Sequence, residues 1–380
     1  MSLAIEWLAE LVRRPSQNPM GCEVSEPGYD ESAVTDFLED LFRSWGVRYE
    51  RQKVAPRRDN IVAYLPGCPT SPTWLWEAHQ DTVPARGMTV APFAAQVTNG
   101  RLYGRGACDV KGGLAAMLAA CDRLLRQPAE RRCSIMLACV VDEEYTFTGI
   151  RALTSRPLGA DGAIVAEPTN LRIITAHKGI VRWRIHTTGR SCHSSQPELG
   201  VNAIYRMARL VSAIEGYATW LNNYRRDAEL GPATLSVGRI EGGISANIVP
   251  DCCTIEVDRR VLPSEDLEQV TEELADYLRH RLDATTWWQE RPWMKLPPLS
   301  GEGKEALVSR LQEAVRQVLG HAETGTVAYG TDAATLQAVG IPCVVFGPGD
   351  IAQAHTADEY IELRQVEQAA EILYCFALWP

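Results

Sequence analysis

The chain has 380 residues, with 38 Lys+Arg against 48 Asp+Glu and a formal net charge of −10. Its pI near 5.3 excludes nucleic acid and an anionic membrane surface as partners, because phosphate and acidic lipid repel a net anion. Hydrophobic residues at 46% and charged residues at 23% describe a soluble globular protein with a sizeable core, and at about 150 residues per domain the length allows two to three domains.

The opening segment MSLAIEWLAELVRR carries Glu6 and Glu10 inside its apolar stretch, which predicts an amphipathic helix and not a signal peptide. No apolar run reaches the roughly 18 residues that cross a bilayer, so no membrane partner is expected. The eleven cysteines contain no CxxC pair, only the vicinal Cys252-Cys253, and are expected as reduced core residues of a cytoplasmic protein. A helical pattern covers 32–45 and stops at Gly46. Short apolar runs at 60–64, 73–78, 134–141 and 162–166 predict strands, and 111–126 predicts a helix between two of them. This alternation predicts an α/β fold with a mixed, mostly parallel sheet flanked by helices.

The pattern changes near Gly179. IVRWRIHTTG alternates apolar and polar residues, as a strand with one wet face does. A helix at 202–217, strands near 234–240 and 254–261, and a charged helix at 264–281 follow, the content of a two-layer α+β unit. The earlier style returns with a helix at 304–319, a strand at 341–346 and a helix near 365–378. The expected organisation is a discontinuous domain, 1–177 with 292–380, interrupted by an inserted domain at 178–291.

Chemistry collects where apolar strands end, the usual place for sites in open α/β sheets. TWLWEA stops at His79-Gln80-Asp81; on a strand i and i+2 point the same way, so Asp81 can support His79, although an HxD triplet also occurs as an incidental pair. GRGACDVKGG surrounds Asp109 with glycines. It lacks the GxxxxGK[ST] phosphate pattern, and Asp109 as a helix N-cap stays open. SIMLACVV ends in Asp142-Glu143-Glu144, carboxylates that repel unless a cation or proton is present, with a solvated acidic turn as the alternative. GAIVA ends in Glu167, and His355 follows Gly347-Pro348-Gly349 late in the chain. Together these supply two imidazoles and several carboxylates, a donor set suited to Zn²⁺ with Mn²⁺ or Co²⁺ as substitutes, and enough for two ions sharing one carboxylate. No GxSxG motif is present for a serine hydrolase.

The segments HQDTVP, GRGACDVKGG, DEE, AEPT, GRSCHSSQPELGVNAI, GGISANIVPD and GPGDIAQAHTADEY, in this order, resemble the dinuclear zinc metallohydrolases that include acetylornithine deacetylase, succinyl-diaminopimelate desuccinylase, aminoacylases and glutamate carboxypeptidase. The resemblance covers nearly the whole chain. It implies a zinc-peptidase-like catalytic domain and an inserted lid and dimerisation domain, hence a homodimer, with two divalent metal ions as cofactors. Asp109 would bridge the ions, with His79 and Glu167 completing one site and Glu144 and His355 the other. Glu143 would be the general base toward a metal-bridging hydroxide, Asp81 the carboxylate that orients His79, and His193 a lid donor to the oxyanion. A cis peptide is implied at Asp109-Val110, and Cys108 is expected as small filler facing away from the metals. Arg259 would grip the substrate α-carboxylate, with Arg260 as its rival, and Asn247, Thr331 and Asp332 would contact substrate. Asp332 would receive a side-chain cation or, equally, cap a helix. The implied substrate is a small N-acyl amino acid, N-acetylornithine first, with N-succinyl-diaminopimelate or the substrate of another amidase or carboxypeptidase of the family as the alternative.

Overall fold

The computed structural model describes residues 2–23 and 26–379, which fold as two compact units. The first unit contains residues 1–175, 301–325 and 331–380; the second contains 176–300 and 326–330. The β-strand at Met294–Leu296 pairs with the strand Gly179–Thr188, which carries the second unit past residue 291 to Ser300.

An eight-stranded mixed sheet organises the first unit, in the order Arg48–Ala55, Arg58–Leu65, Ser134–Val140, Thr73–His79, Gly162–Val165, Cys343–Val345, Ile173–His177, Thr324–Val327. Its four central strands, from Ser134–Val140 to Cys343–Val345, are parallel, and the pairings described outside them are antiparallel. The central runs are buried along almost their whole length, as both-face burial requires, and helices that include Leu3–Val12, Gly112–Leu125, Glu305–Leu319 and Leu363–Ala377 contribute to one continuous core with them. Register then decides where the charges go. His79 pairs with Val140, Glu77 with Val165, and Val165 with Val345. His79, the Asp142–Glu144 turn, Glu167 and the segment leading to His355 therefore leave the sheet at one end.

In the second unit the strands run Thr234–Gly242, Cys252–Val261, Gly179–Thr188, Trp287–Gln289, all antiparallel. Val181, Trp183 and Ile185 face a core with Ile255, Val257 and the helices Ala203–Tyr224 and Val270–Arg279. The alternate residues Arg182, Arg184 and His186 sit opposite Asp258, Glu256 and Thr254 on the wet face. Asn202 caps the long helix by accepting the N–H of Tyr205. Among the described residues no helix is long and apolar enough to cross a membrane, and all eleven cysteines are free thiols.

Candidate metal centre

His79 ends its strand with Nε2 3.1 Å from Asp109 Oδ1 and 4.0 Å from Glu167 Oε1. His355 reaches the other oxygen of the same carboxylate, with Nε2 3.2 Å from Asp109 Oδ2 and 3.1 Å from Glu144 Oε2. Two groups result, His79–Asp109–Glu167 and Asp109–Glu144–His355; within each, one ligand atom per residue lies within 4.8 Å of the others. Residues spread from position 79 to position 355 thus meet on a single shared carboxylate.

Local backbone makes the meeting possible. Gly106, at φ +80, turns the chain just before Asp109, and the Asp109-Val110 peptide is cis. At Gly347 a Cβ would lie 2.6 Å from the Glu167 carbonyl, so only glycine lets the His355 segment leave the sheet so close to Glu167. Asp142 and His355 themselves hold left-handed backbone at φ +67 and +61, uncommon for side-chain-bearing residues.

Burial and like charge shape the electrostatics. Burial pushes the Glu143, Glu144 and Glu167 carboxyls up; Asp109 adds to the rise at all three. Burial would raise Asp109 as well, but hydrogen bonds from His355 and His79 outweigh it and hold Asp109 below the usual carboxylate range. At His79 burial opposes protonation, yet the hydrogen bond to Asp109 and the charges of Glu143, Asp109 and Glu167 raise it well above an ordinary histidine. Hydrogen bonds to Asp109 and Glu144 raise His355 to about 10. The centre holds more carboxylate than the chain's own cations balance, so it draws protons onto its imidazoles or metal ions between its ligands.

Several expected roles need correction. His79 Nδ1 is held at 2.9 Å by the backbone carbonyl of Asp81, while the Asp81 carboxylate stands 3.8 Å away. That carboxylate instead accepts the N–H groups of Glu143 and Glu144 and the Asn18 amide, fixing the acidic turn. Arg259 lies on the covered side of its strand, 0% exposed, bonded to Glu265 at 2.5 Å and to the Arg260 carbonyl, so it has no open face for a substrate carboxylate. Strand parity leaves Arg260 on the wet face, paired with Asp258 at 2.7 Å. Thr331 is buried, and Asp332 is 1% exposed with no side-chain capping bond; burial and the neighbouring Glu77 push its carboxyl well up. A substrate cation finds no open surface there. Cys108 does face away, its Sγ 3.3 Å from the Asp350 carbonyl.

In the second unit His193 and Asn247 come together: Ser194 N–H bonds the Asn247 carbonyl, and Ile248 pairs with His193. His193 Nδ1 accepts the Ser195 N–H at 3.1 Å and meets its hydroxyl at 2.7 Å, which leaves Nε2 as the protonated nitrogen. Sequence reasoning missed Glu77, buried one pleat before His79 and pushed by burial up to about 8, which i,i+2 parity would have flagged. It also missed Asn18, for which the local sequence carries no signal.

An imidazole–carboxylate centre at the strand ends of an α/β sheet, buried at His79, Asp109 and Glu167 and open to solvent at His355, defines a metal-dependent hydrolase acting on amides. Residues 75–379 match peptidase family M20/M25/M40, and the chain belongs to that family. It is 33% identical over 357 residues to an acetylornithine deacetylase of Vibrio cholerae (89% of this chain, 90% of the relative) and 30% identical over 351 residues to one of Myxococcus xanthus (90% of each). Among solved structures its fold is similar to an M20 metallo-carboxypeptidase of Sulfolobus solfataricus (TM-score 0.80, 22% identity, 99% of this chain and 98% of that one). A Bacillus subtilis M20 peptidase described as dinuclear metal-binding is also similar (TM-score 0.69, 17% identity, 98% and 96%).

Proposed function

We propose that the protein is a cytoplasmic, homodimeric deacylase of N-acyl amino acids whose substrate is N-acetylornithine and whose cofactors are two divalent ions, Zn²⁺ with Co²⁺ or Mn²⁺ as substitutes. One observation carries the reading: the two oxygens of Asp109 face two different imidazoles, each with a further carboxylate beside it. The donor set fits the ions, because imidazole with carboxylate suits borderline divalent metals and the surplus of buried carboxylate calls for cations. His79 and Glu167 would hold one ion, Glu144 and His355 the other, and Asp109 both. Bound there, the ions acidify water and polarise an amide carbonyl.

The remaining work falls to side chains. Glu143, on the turn that Asp81 fixes, takes the proton of the attacking water and returns it to the leaving amine. His193 offers its Nε2–H to the oxyanion, with Asn247 beside it. Arg260, in place of Arg259, receives the substrate α-carboxylate by exchanging it for Asp258. The acetylornithine deacetylases of Vibrio cholerae and Myxococcus xanthus support the choice of substrate. Self-association through the second unit is supported by its outer strand Thr234–Gly242, where Ile240 is exposed, and by the adjoining Ile244 at 87% exposure.

The test is a release assay over N-acetyl and N-succinyl amino acids and dipeptides, before chelation, after chelation, and after Zn²⁺ or Co²⁺ is restored. N-acetylornithine should turn over fastest, with loss on chelation and recovery on reloading. Faster turnover of N-succinyl-diaminopimelate or a dipeptide overturns the substrate; activity indifferent to chelation overturns the metal reading.

A further inference from the structure

Glu359 is buried without solvent contact, and both of its carboxylate oxygens are filled. Oε2 accepts from the Arg105 guanidinium at 2.6 Å and from Gly106 N–H at 3.0 Å. Oε1 accepts from Cys108 N–H at 2.9 Å and from the N–H of Asp109 itself at 3.1 Å. The Glu359 backbone carbonyl takes Gly104 N–H at 3.0 Å. Arg105 reaches onward to the carbonyl of Thr356, next to His355, at 3.3 Å, and toward that of Pro84, beyond Asp81, at 3.5 Å.

One ion pair therefore ties together three chain segments that carry the centre: the loop of Asp109, the loop of His355, and the extension of the His79 strand. The chemistry is matched, since a carboxylate is an acceptor only and four converging donors leave neither oxygen short. A glutamine would fit the space but would turn an NH₂ toward N–H donors on one side, donor against donor, and the loop would have to move.

We propose that Glu359, braced by Arg105, is the positioning residue that aims the two oxygens of Asp109 at the two metal half-sites. The inference rests on Asp109 being the shared ligand. Glu359 touches neither metal nor substrate and acts through the peptide that carries Asp109. Partners one shell removed from a metal typically change its affinity about 10- to 100-fold when replaced.

The experiment strips the full chain with chelator and titrates Co²⁺ by calorimetry and visible absorption in the unsubstituted protein, Glu359→Gln, Arg105→Gln and Asp109→Asn, with melting temperatures of the metal-free forms alongside. Glu359→Gln should bind Co²⁺ about 10- to 100-fold more weakly, with an altered visible spectrum, a lower kcat at unchanged KM, and a metal-free melting temperature within a few degrees of the parent. Unchanged Co²⁺ affinity and spectrum in Glu359→Gln overturn the proposal, whether or not its melting temperature falls. Should Glu359→Gln not fold, Arg105→Gln, which keeps the three peptide donors, decides: weakened Co²⁺ binding supports the proposal and unchanged binding overturns it. Asp109→Asn separates the two readings. Unchanged affinity in that variant removes the shared ligand itself, whereas weakened affinity there with an unaffected Glu359→Gln removes only the positioning role.

Discussion

Both units place charged side chains on a β-sheet, but they treat the charges in opposite ways. On the wet face of the second unit ionisable side chains are matched across strands: Arg182 with Asp258, Arg184 with Glu256, and His186 with Glu290. At the strand ends of the first unit Glu143, Glu144 and Glu167 crowd around Asp109 with only two imidazoles for company, and burial pushes all three carboxyls up. Paired, partly solvated charge stabilises a surface by little and asks for nothing else. Buried charge in excess is costly unless a further cation arrives. The contrast separates charge that serves the fold from charge that serves chemistry, and the following experiments are ordered by how hard they press on it.

Glu143→Gln presses hardest. It removes one proton acceptor while leaving all five candidate ligands, so kcat should fall about 10²- to 10⁴-fold with metal content unchanged by elemental analysis. Full turnover in that variant ends its assignment as the base; lost metal would make Glu143 a ligand.

Arg259 tests the opposite case, a buried charge that is paired. Arg259→Met leaves the buried Glu265 carboxylate without its cation, held only by the Leu262 N–H, and should cost about 3–5 kcal/mol in denaturant unfolding, while turnover per folded molecule and KM hold. Arg260→Met should do the reverse, raising KM with little change in stability. If Arg259→Met raises KM in a well-folded protein, the reassignment to Arg260 is wrong.

These two arginines also mark how far the sequence could be read. The helix at Ser32–Trp45 and the strands around His79, Val140 and Val165 follow from apolar spacing, because long buried segments leave little choice of face. His79, Glu144 and Glu167 were legible as the polar residues at which buried strands stop, whereas Asp109 stood out by its glycine-rich surroundings and His355 lies in a loop well past its strand. Arg259 against Arg260 was not, since it turns on the parity of one strand, and a single-residue shift exchanges the two faces. Asp332 fails for a different reason: the segment DAATLQAV contains a helix-start pattern, but the tertiary structure buries its first residue beside Glu77. The Glu359 contacts join positions about 250 residues apart in the sequence, and no local pattern announces them.

Lys304 probes burial of a cation in the first unit. Its Nζ donates to the Thr175 carbonyl at 3.0 Å and to Gln337 Oε1 at 3.2 Å, and burial lowers its pKa from 10.5 to about 8. Between those values the unfolded chain binds the proton that the folded chain has released, so folding stability from this group rises as pH climbs from about 8 to 10.5. Lys304→Met should flatten that rise and raise stability at pH 7 by at most about 3 kcal/mol, measured by denaturant unfolding across the pH range. A variant with the parent's pH slope would show that the burial of this ammonium is not what sets it.

The smallest effect belongs to the wet face. Arg182→Ala removes one partner of Asp258 but leaves Arg260 on the same carboxylate at 2.7 Å, so no charge is stranded. The side chains of Arg182 and Asp258 keep 32% and 27% of their surface in contact with solvent, and water replaces what the guanidinium gave. The double cycle Arg182→Ala with Asp258→Ala should return a coupling below about 1 kcal/mol, shrinking further as salt rises from 10 mM-scale to roughly 1 M ionic strength. Co²⁺ affinity should not move in any arm of the cycle. A coupling of several kcal/mol, insensitive to salt, would mean that this face is desolvated in the working protein and that its charges are part of an interface; the distinction drawn between the two units would then fail at its paired end.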